Sequence, residues 1–133
     1  MSIQSDYDAL TGRWQLVKSV VAGTPVPEAE VKKTALITDH DVFRFPADAH
    51  VGTAPQGRFT IDPTSNPKEV DSTALDGPNE GKVTRGIYEV LGANNKRACW
   101  GQPGGPRPTD FTSASGSGRT VQYWRLISKT PGD

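Results

Sequence analysis

The chain has 133 residues, of which 34% are apolar, and its mean hydropathy is −0.55. This length predicts one domain, residues 1–133, with a core that needs no metal or disulfide, and the modest apolar content suits strands that bury one face. No run approaches the roughly 20 apolar residues of a membrane helix, and residues 1–6 do not resemble a signal peptide. With one cysteine, Cys99, these features favour a cytoplasmic protein without disulfides.

The charges are balanced overall but unevenly distributed. Residues 1–80 hold 12 acidic and 7 basic residues, whereas residues 81–128 hold 2 acidic and 7 basic residues. Two interpretations stay open: the halves neutralise each other across neighbouring strands, or the basic half meets a ligand or partner that carries a carboxylate. Nucleic acid binding is not indicated, because the chain has no net positive charge and no basic stripe interleaved with aromatic residues.

The first third of the chain predicts short elements separated by strong turns. Residues 5–11 form a short helical turn capped by Ser5 or Asp6, and residues 14–22 form a valine-rich strand. The Gly23–Pro27 turn leads into a second helical turn over 28–31. Two short strands follow, which are joined by Asp39-His40-Asp41 and occupy residues 34–38 and 42–45.

The rest of the chain continues this pattern of strands and turns. Residues 46–56 form a loop that contains His50 and is the candidate lid. Residues 101–109 form a stiff crossover that is expected to bring Arg107 and Phe111 to the barrel mouth, and residues 113–118 form a flexible flap. The remaining predicted strands are 57–61, 69–75, 82–91, 96–100 and 120–128. Turn signals recur about every 8–12 residues, and no amphipathic helix of about 10 residues is present. The prediction is an all-β fold: one antiparallel up-and-down β-barrel of about eight strands, with a short N-terminal helical turn.

The two ends of the chain carry the most specific pattern. Gly12-Arg13-Trp14 opens the first strand, and Trp124-Arg125 lies in the last strand. The glycine two residues before a tryptophan resembles the start of lipocalin-type barrels. In those barrels the indole closes one end and an arginine from the final strand lies across it. The resemblance therefore implies that Trp14 closes the barrel under Arg125, with a cation–π contact between them.

The resemblance extends over nearly the whole chain. It is to a small bacterial domain family of unknown function, abundant in planctomycetes and described as lipocalin-like. The matching stretches are residues 10–17, 23–27, 57–63 with 67–68, 77–82, 86–89, Cys99 and 106–111. The family has no agreed activity, so the resemblance implies a fold only. Residues 45–56 depart from it, because they contain His50 and lack the charged hairpin usual there.

The predicted ligand site is the interior of the barrel. Alternation along the strand 82–91 separates Tyr88 from Arg85, and we expect Tyr88 to face inward with Gly86 leaving room beside it. The main hypothesis is a small apolar ligand, with or without a carboxylate, anchored by Arg85 or Arg107. The other candidate ligand-binding residues are Phe43, Phe45, Phe59, Tyr88, Trp100, Phe111 and the lid residue His50. The alternative for Tyr88 is a core aromatic residue whose hydroxyl bonds the backbone.

Two further hypotheses use the same barrel. An enzyme performing a cyclisation or isomerisation would use Tyr88, Asp71 or Cys99 as its polar group, although a lone strand cysteine is more typical of a small buried hydrophobic residue. A protein-interaction module, of inhibitor or immunity type, would use the outer sheet or residues 101–118. No cofactor and no metal are predicted, because His40 and His50 lack paired ligand spacing. The expected state is a monomer or weak homodimer.

Overall fold

The computed structural model describes residues 3–45, 56–76 and 79–131. The described elements are two short helices and nine strands. The helices are α1 (Ile3–Leu10) and α2 (Glu28–Lys32). The strands are β1 (Gly12–Val21), β2 (Thr24–Pro25), β3 (Ala35–Asp39), β4 (Val42–Arg44), β5 (Gln56–Asp62), β6 (Lys68–Ala74), β7 (Val83–Leu91), β8 (Asn95–Pro103) and β9 (Thr120–Ser128).

The strands form a closed antiparallel β-barrel. Each strand from β3 to β8 pairs with the next, and β1 pairs with both β3 and β9. Eight strands therefore complete the ring, while the two-residue β2 pairs with the end of β1. Closure removes unpaired sheet edges and leaves an interior wide enough for one small ligand. The predicted small all-β barrel with a short N-terminal helix is confirmed.

The helix α1 closes one end of the barrel, which we call the floor. The Tyr7 hydroxyl donates to the Phe59 carbonyl at 3.2 Å, and the Trp14 indole Nε1 donates to the Leu10 carbonyl at 3.0 Å. The strands alternate in direction around the ring. At the opposite end, the mouth, β1, β4, β6 and β8 therefore end and β3, β5, β7 and β9 begin. Val21, Ala74, Thr84 and Thr120 therefore lie near the mouth.

The Gly12-Arg13-Trp14 pattern has the structural role that was expected of it, with one correction. Trp14 is 1% exposed and packs with Leu16 and Trp124 at the floor. Gly12 has φ of +146°, and a Cβ there would lie 2.5 Å from the Ser128 carbonyl oxygen, so glycine lets β1 approach β9. The prediction that Arg125 covers Trp14 is wrong. Arg125 is exposed, since it alternates with the inward Trp124 along β9.

A long loop, residues 104–119, covers the outside of β7, β8 and β9. A second apolar cluster lies there, on the face opposite the interior: Ile87, Cys99 and Val121 are buried, with Phe111 and Tyr123 packed against them. The loop was expected to bring Phe111 to the mouth, and it does not. Phe111 covers the outer cluster instead, because three apolar residues of the outer face need a cover.

Candidate functional site

The interior of the barrel contains a cavity of about 620 Å³. This volume is within the range of small-molecule sites, which are concave and mostly apolar. The wall is rich in aromatic and aliphatic side chains, among them Phe43, Phe45, Phe59, Val70, Tyr88, Ala98 and Trp100. Five predicted ligand-binding residues therefore lie together around this cavity: Phe43, Phe45, Phe59, Tyr88 and Trp100.

Two glycines position aromatic rings on the cavity wall. A Cβ on Gly57 would lie 2.6 Å from ring atoms of Phe43, and a Cβ on Gly86 would lie 2.6 Å from Cε3 of Trp100. Each ring therefore lies flat over a neighbouring strand that has no side chain to displace it. The space beside Gly86, which was expected to be open, is filled by Trp100. The Trp100 Nε1 donates to Gln122 Oε1 at 3.1 Å, which fixes the ring.

Three hydroxyl groups offer polar contacts nearer the mouth. Ser72 and Thr84 are direct neighbours on β6 and β7, and Thr120 lies at the start of β9; all three line the cavity. None of these hydroxyls makes a hydrogen bond to the residues that the structure describes. They can donate to or accept from a ligand at no cost to an existing protein contact.

Tyr88 lines the cavity, but its hydroxyl is already engaged. It donates to Asp6 Oδ2 at 2.7 Å, and the same oxygen accepts from Lys68 Nζ at 2.9 Å. Asp6 is only 3% exposed. Burial, and then this contact with the Asp6 carboxylate, raises the pKa of Tyr88 well above its ordinary value. The cluster ties α1 to β6 and β7, so Tyr88 contributes an aromatic wall to the cavity and holds the floor in place.

The two arginines predicted as anchors lie outside the cavity. Arg85 is exposed, and its Nη1 donates to the Gly105 carbonyl at 3.2 Å. Arg107 Nη2 is 2.8 Å from Asp71 Oδ1, and its Nη1 donates to the Val70 and Gly86 carbonyls at 3.2 and 2.9 Å. Arg107 therefore joins β6 to β7 from outside, and Asp71 is on that outer side with it. The contact is an example of the acidic and basic halves of the chain neutralising each other.

Cys99 and Phe111 also belong to the outer cluster. Cys99 has no exposed surface, and its thiol donates to the Thr112 carbonyl at 3.6 Å. Burial is the largest influence on the pKa of Cys99 and raises it, which keeps the thiol protonated and unreactive at neutral pH. The centroid of the Phe111 ring lies 3.9 Å from the Arg97 guanidinium carbon.

The remaining candidate, His50, falls in residues 46–55, outside the described residues.

Sequence reasoning missed Lys96, the second residue of β8. Lys96 lines the cavity near the floor and is 7% exposed, and its Nζ lies 4.4 Å from the centroid of the Trp14 ring. The cation over Trp14 is therefore a lysine from β8. Burial, with a smaller effect of Lys129, lowers the pKa of Lys96 to about 7. The sequence does contain a signal for this inward position, because alternation along the strand places Lys96 on the same face as Ala98 and Trp100.

Comparison of the chain with family models, with curated proteins and with solved structures finds no match. In the ranges that the structure describes, no helix is both long and apolar enough to cross a membrane. Among those same residues, no three His, Cys, Asp or Glu side chains are grouped so that they could hold a metal ion.

Proposed function

We propose that the chain is a binding protein whose barrel holds one small, largely apolar molecule, and that it belongs to the lipocalin-like group it resembles. The observation that carries the proposal is the cavity of about 620 Å³, with aromatic rings on its wall and a few hydroxyls near its mouth. Apolar surface supplies most of the binding free energy at such a site, and a few polar groups fix the orientation. A cytoplasmic location is part of the proposal and accords with a lone, protonated thiol.

The cavity supports binding better than the two alternatives. Asp71 and Cys99 lie outside it, and the Tyr88 hydroxyl donates to Asp6, so an enzyme would lack three of its expected polar groups. An interaction module was expected to use the outer sheet or residues 101–118. Part of that loop instead packs onto the barrel through Phe111, whose half-buried ring covers the outer cluster of its own fold.

The test is a binding titration with a neutral apolar probe and two matched variants. Decanol is titrated into the wild-type protein, Ser72→Phe and Thr73→Phe, with calorimetry as the readout. Ser72 lines the cavity, whereas Thr73 is the next residue on β6 and faces the other side. The proposal predicts that Ser72→Phe weakens decanol binding at least about tenfold because it fills the cavity, while Thr73→Phe binds like the wild type. Equal binding by both variants, or no binding by the wild type, would refute the proposal.

A further inference from the structure

Lys96 has no ordinary partner for a buried ammonium group. Its Nζ makes no hydrogen bond or ion pair with any residue that the structure describes, and its contact is the face of Trp14 at 4.4 Å. A ring face stabilises a cation, but less fully than water or a carboxylate does. A charged group that is nine-tenths buried and unpaired is costly, and proteins usually pair such groups. A negatively charged group on a ligand would supply the partner that the protonated side chain lacks.

The cavity wall around Lys96 would accept a negative charge and reject a positive one. No Asp or Glu belongs to the described lining of the cavity. The other basic residue there, Arg97, directs its guanidinium away, with its Nε 2.7 Å from Glu89 Oε1. Lys96 is thus the cation at the floor of a cavity whose described lining contains no acidic side chain. One ammonium group neutralises the single charge of a carboxylate, whereas the double charge of a phosphate would leave an uncompensated negative charge buried in the cavity.

We propose that the ligand is an apolar monocarboxylate whose head group pairs with Lys96 at the floor and whose apolar tail contacts the aromatic wall. This inference rests on the proposed function, since it names the ligand class for the same cavity. In this inference the anchor of the carboxylate is Lys96, which lines the interior, and not Arg85 or Arg107, which lie outside it. The Ser72, Thr84 and Thr120 hydroxyls would lie toward the tail end, near the mouth.

The protonation of Lys96 gives the pairing a measurable pH dependence. The lowered pKa means that the free site loses its positive charge as the pH rises above about 7. Carboxylate binding should weaken over that range, whereas binding of an uncharged ligand should not. Other titratable groups near the floor are Lys129 after β9, which also acts on Lys96, and Asp6, which is paired with Lys68 and Tyr88. We assign the change to Lys96, whose pKa is lowered to about 7.

The experiment compares decanoate with decanol, which share one chain length and differ in charge. Both are titrated at pH 6.5 and pH 9 into the wild-type protein, Lys96→Met and the exposed-surface control Lys33→Met. We expect Lys96→Met to reduce the affinity for decanoate relative to that for decanol at least about tenfold at pH 6.5. Lys33→Met should match the wild type for both probes. In the wild type, decanoate should bind several-fold more weakly at pH 9.

The outcomes separate this inference from the proposed function. Decanol binding together with decanoate binding that is independent of pH and unaffected by Lys96→Met would overturn the role of Lys96 and leave the cavity site intact. If neither decanol nor decanoate binds the wild-type protein, the proposed function itself is overturned. Should Lys96→Met not fold, the wild-type comparison between pH 6.5 and 9 decides the question alone, because it needs no variant.

Discussion

Replacing Lys96 with methionine tests the electrostatics of the floor without any ligand. Methionine keeps most of the length and the apolar stem but removes the charge. A pKa of about 7, in place of the ordinary 10.5, means that the unfolded chain binds more protons than the folded chain between those two values. Stability from this group therefore rises with pH across that interval, and the penalty of the buried charge is fully present below pH 7.

The size of the effect follows from the proton linkage. Each pH unit between the two pKa values is worth about 1.4 kcal/mol, so the wild type should gain roughly 3 kcal/mol from Lys96 between pH 6 and pH 9. Lys96→Met should lack this gain. The difference in unfolding free energy between the variant and the wild type should move by that amount in favour of the wild type as the pH rises.

The assay is urea unfolding followed by tryptophan fluorescence at pH 6, 7, 8 and 9 and constant ionic strength. Subtracting the unfolding free energy of one protein from that of the other at each pH cancels the contributions of the titratable groups that they share. Lys33→Met, an exposed lysine, serves as the control and should show a difference that is independent of pH. A difference for Lys96→Met that stays constant within about 0.5 kcal/mol would refute the reasoning, because Lys96 would then keep its charge through the whole range.

Three other predictions concern the packing of the barrel on its inner and outer faces. Asp6→Asn should cost about 3 kcal/mol of unfolding free energy in urea, because it breaks a buried ion pair and a charge-assisted hydrogen bond from Tyr88; a cost below about 0.5 kcal/mol would show that the cluster does not hold α1. Gly86→Ala should cost about 1–3 kcal/mol and shift the tryptophan emission, since its Cβ would lie 2.6 Å from Trp100; an unchanged spectrum and stability would contradict that packing. Cys99 should resist iodoacetamide in the folded protein and react readily in urea, as read by intact mass, and rapid labelling of the folded protein would place the thiol elsewhere.

The sequence predicted the barrel well because local signals agree with one another. Short apolar runs, regular turn residues and the Gly12–Trp14 pattern all indicate the same closed sheet. The inward position of Tyr88 followed from strand alternation once a barrel was assumed. These inferences need only a period of two along each strand.

The misplaced residues depend on information that alternation does not contain. Both faces of the strand 82–91 carry apolar residues, and alternation alone does not say what covers each face. In the structure, the outward Ile87 packs with Cys99 beneath the loop that carries Phe111. The path of a loop of 16 residues is set by tertiary packing, so the positions of Arg107 and Phe111 were beyond a local pattern. Lys96 was overlooked because a lysine is usually exposed.

The most direct test of a ligand inside the barrel is the set of intermolecular nuclear Overhauser effects between decanol and the isotope-labelled protein. The account predicts contacts from decanol protons to Phe59, Ala98 and Trp100, which line the cavity. Contacts confined to Val17, Leu91 and Tyr123, which line a second pocket of about 470 Å³ at the barrel surface, would contradict it. So would contacts to Phe111 alone, on the outer cluster.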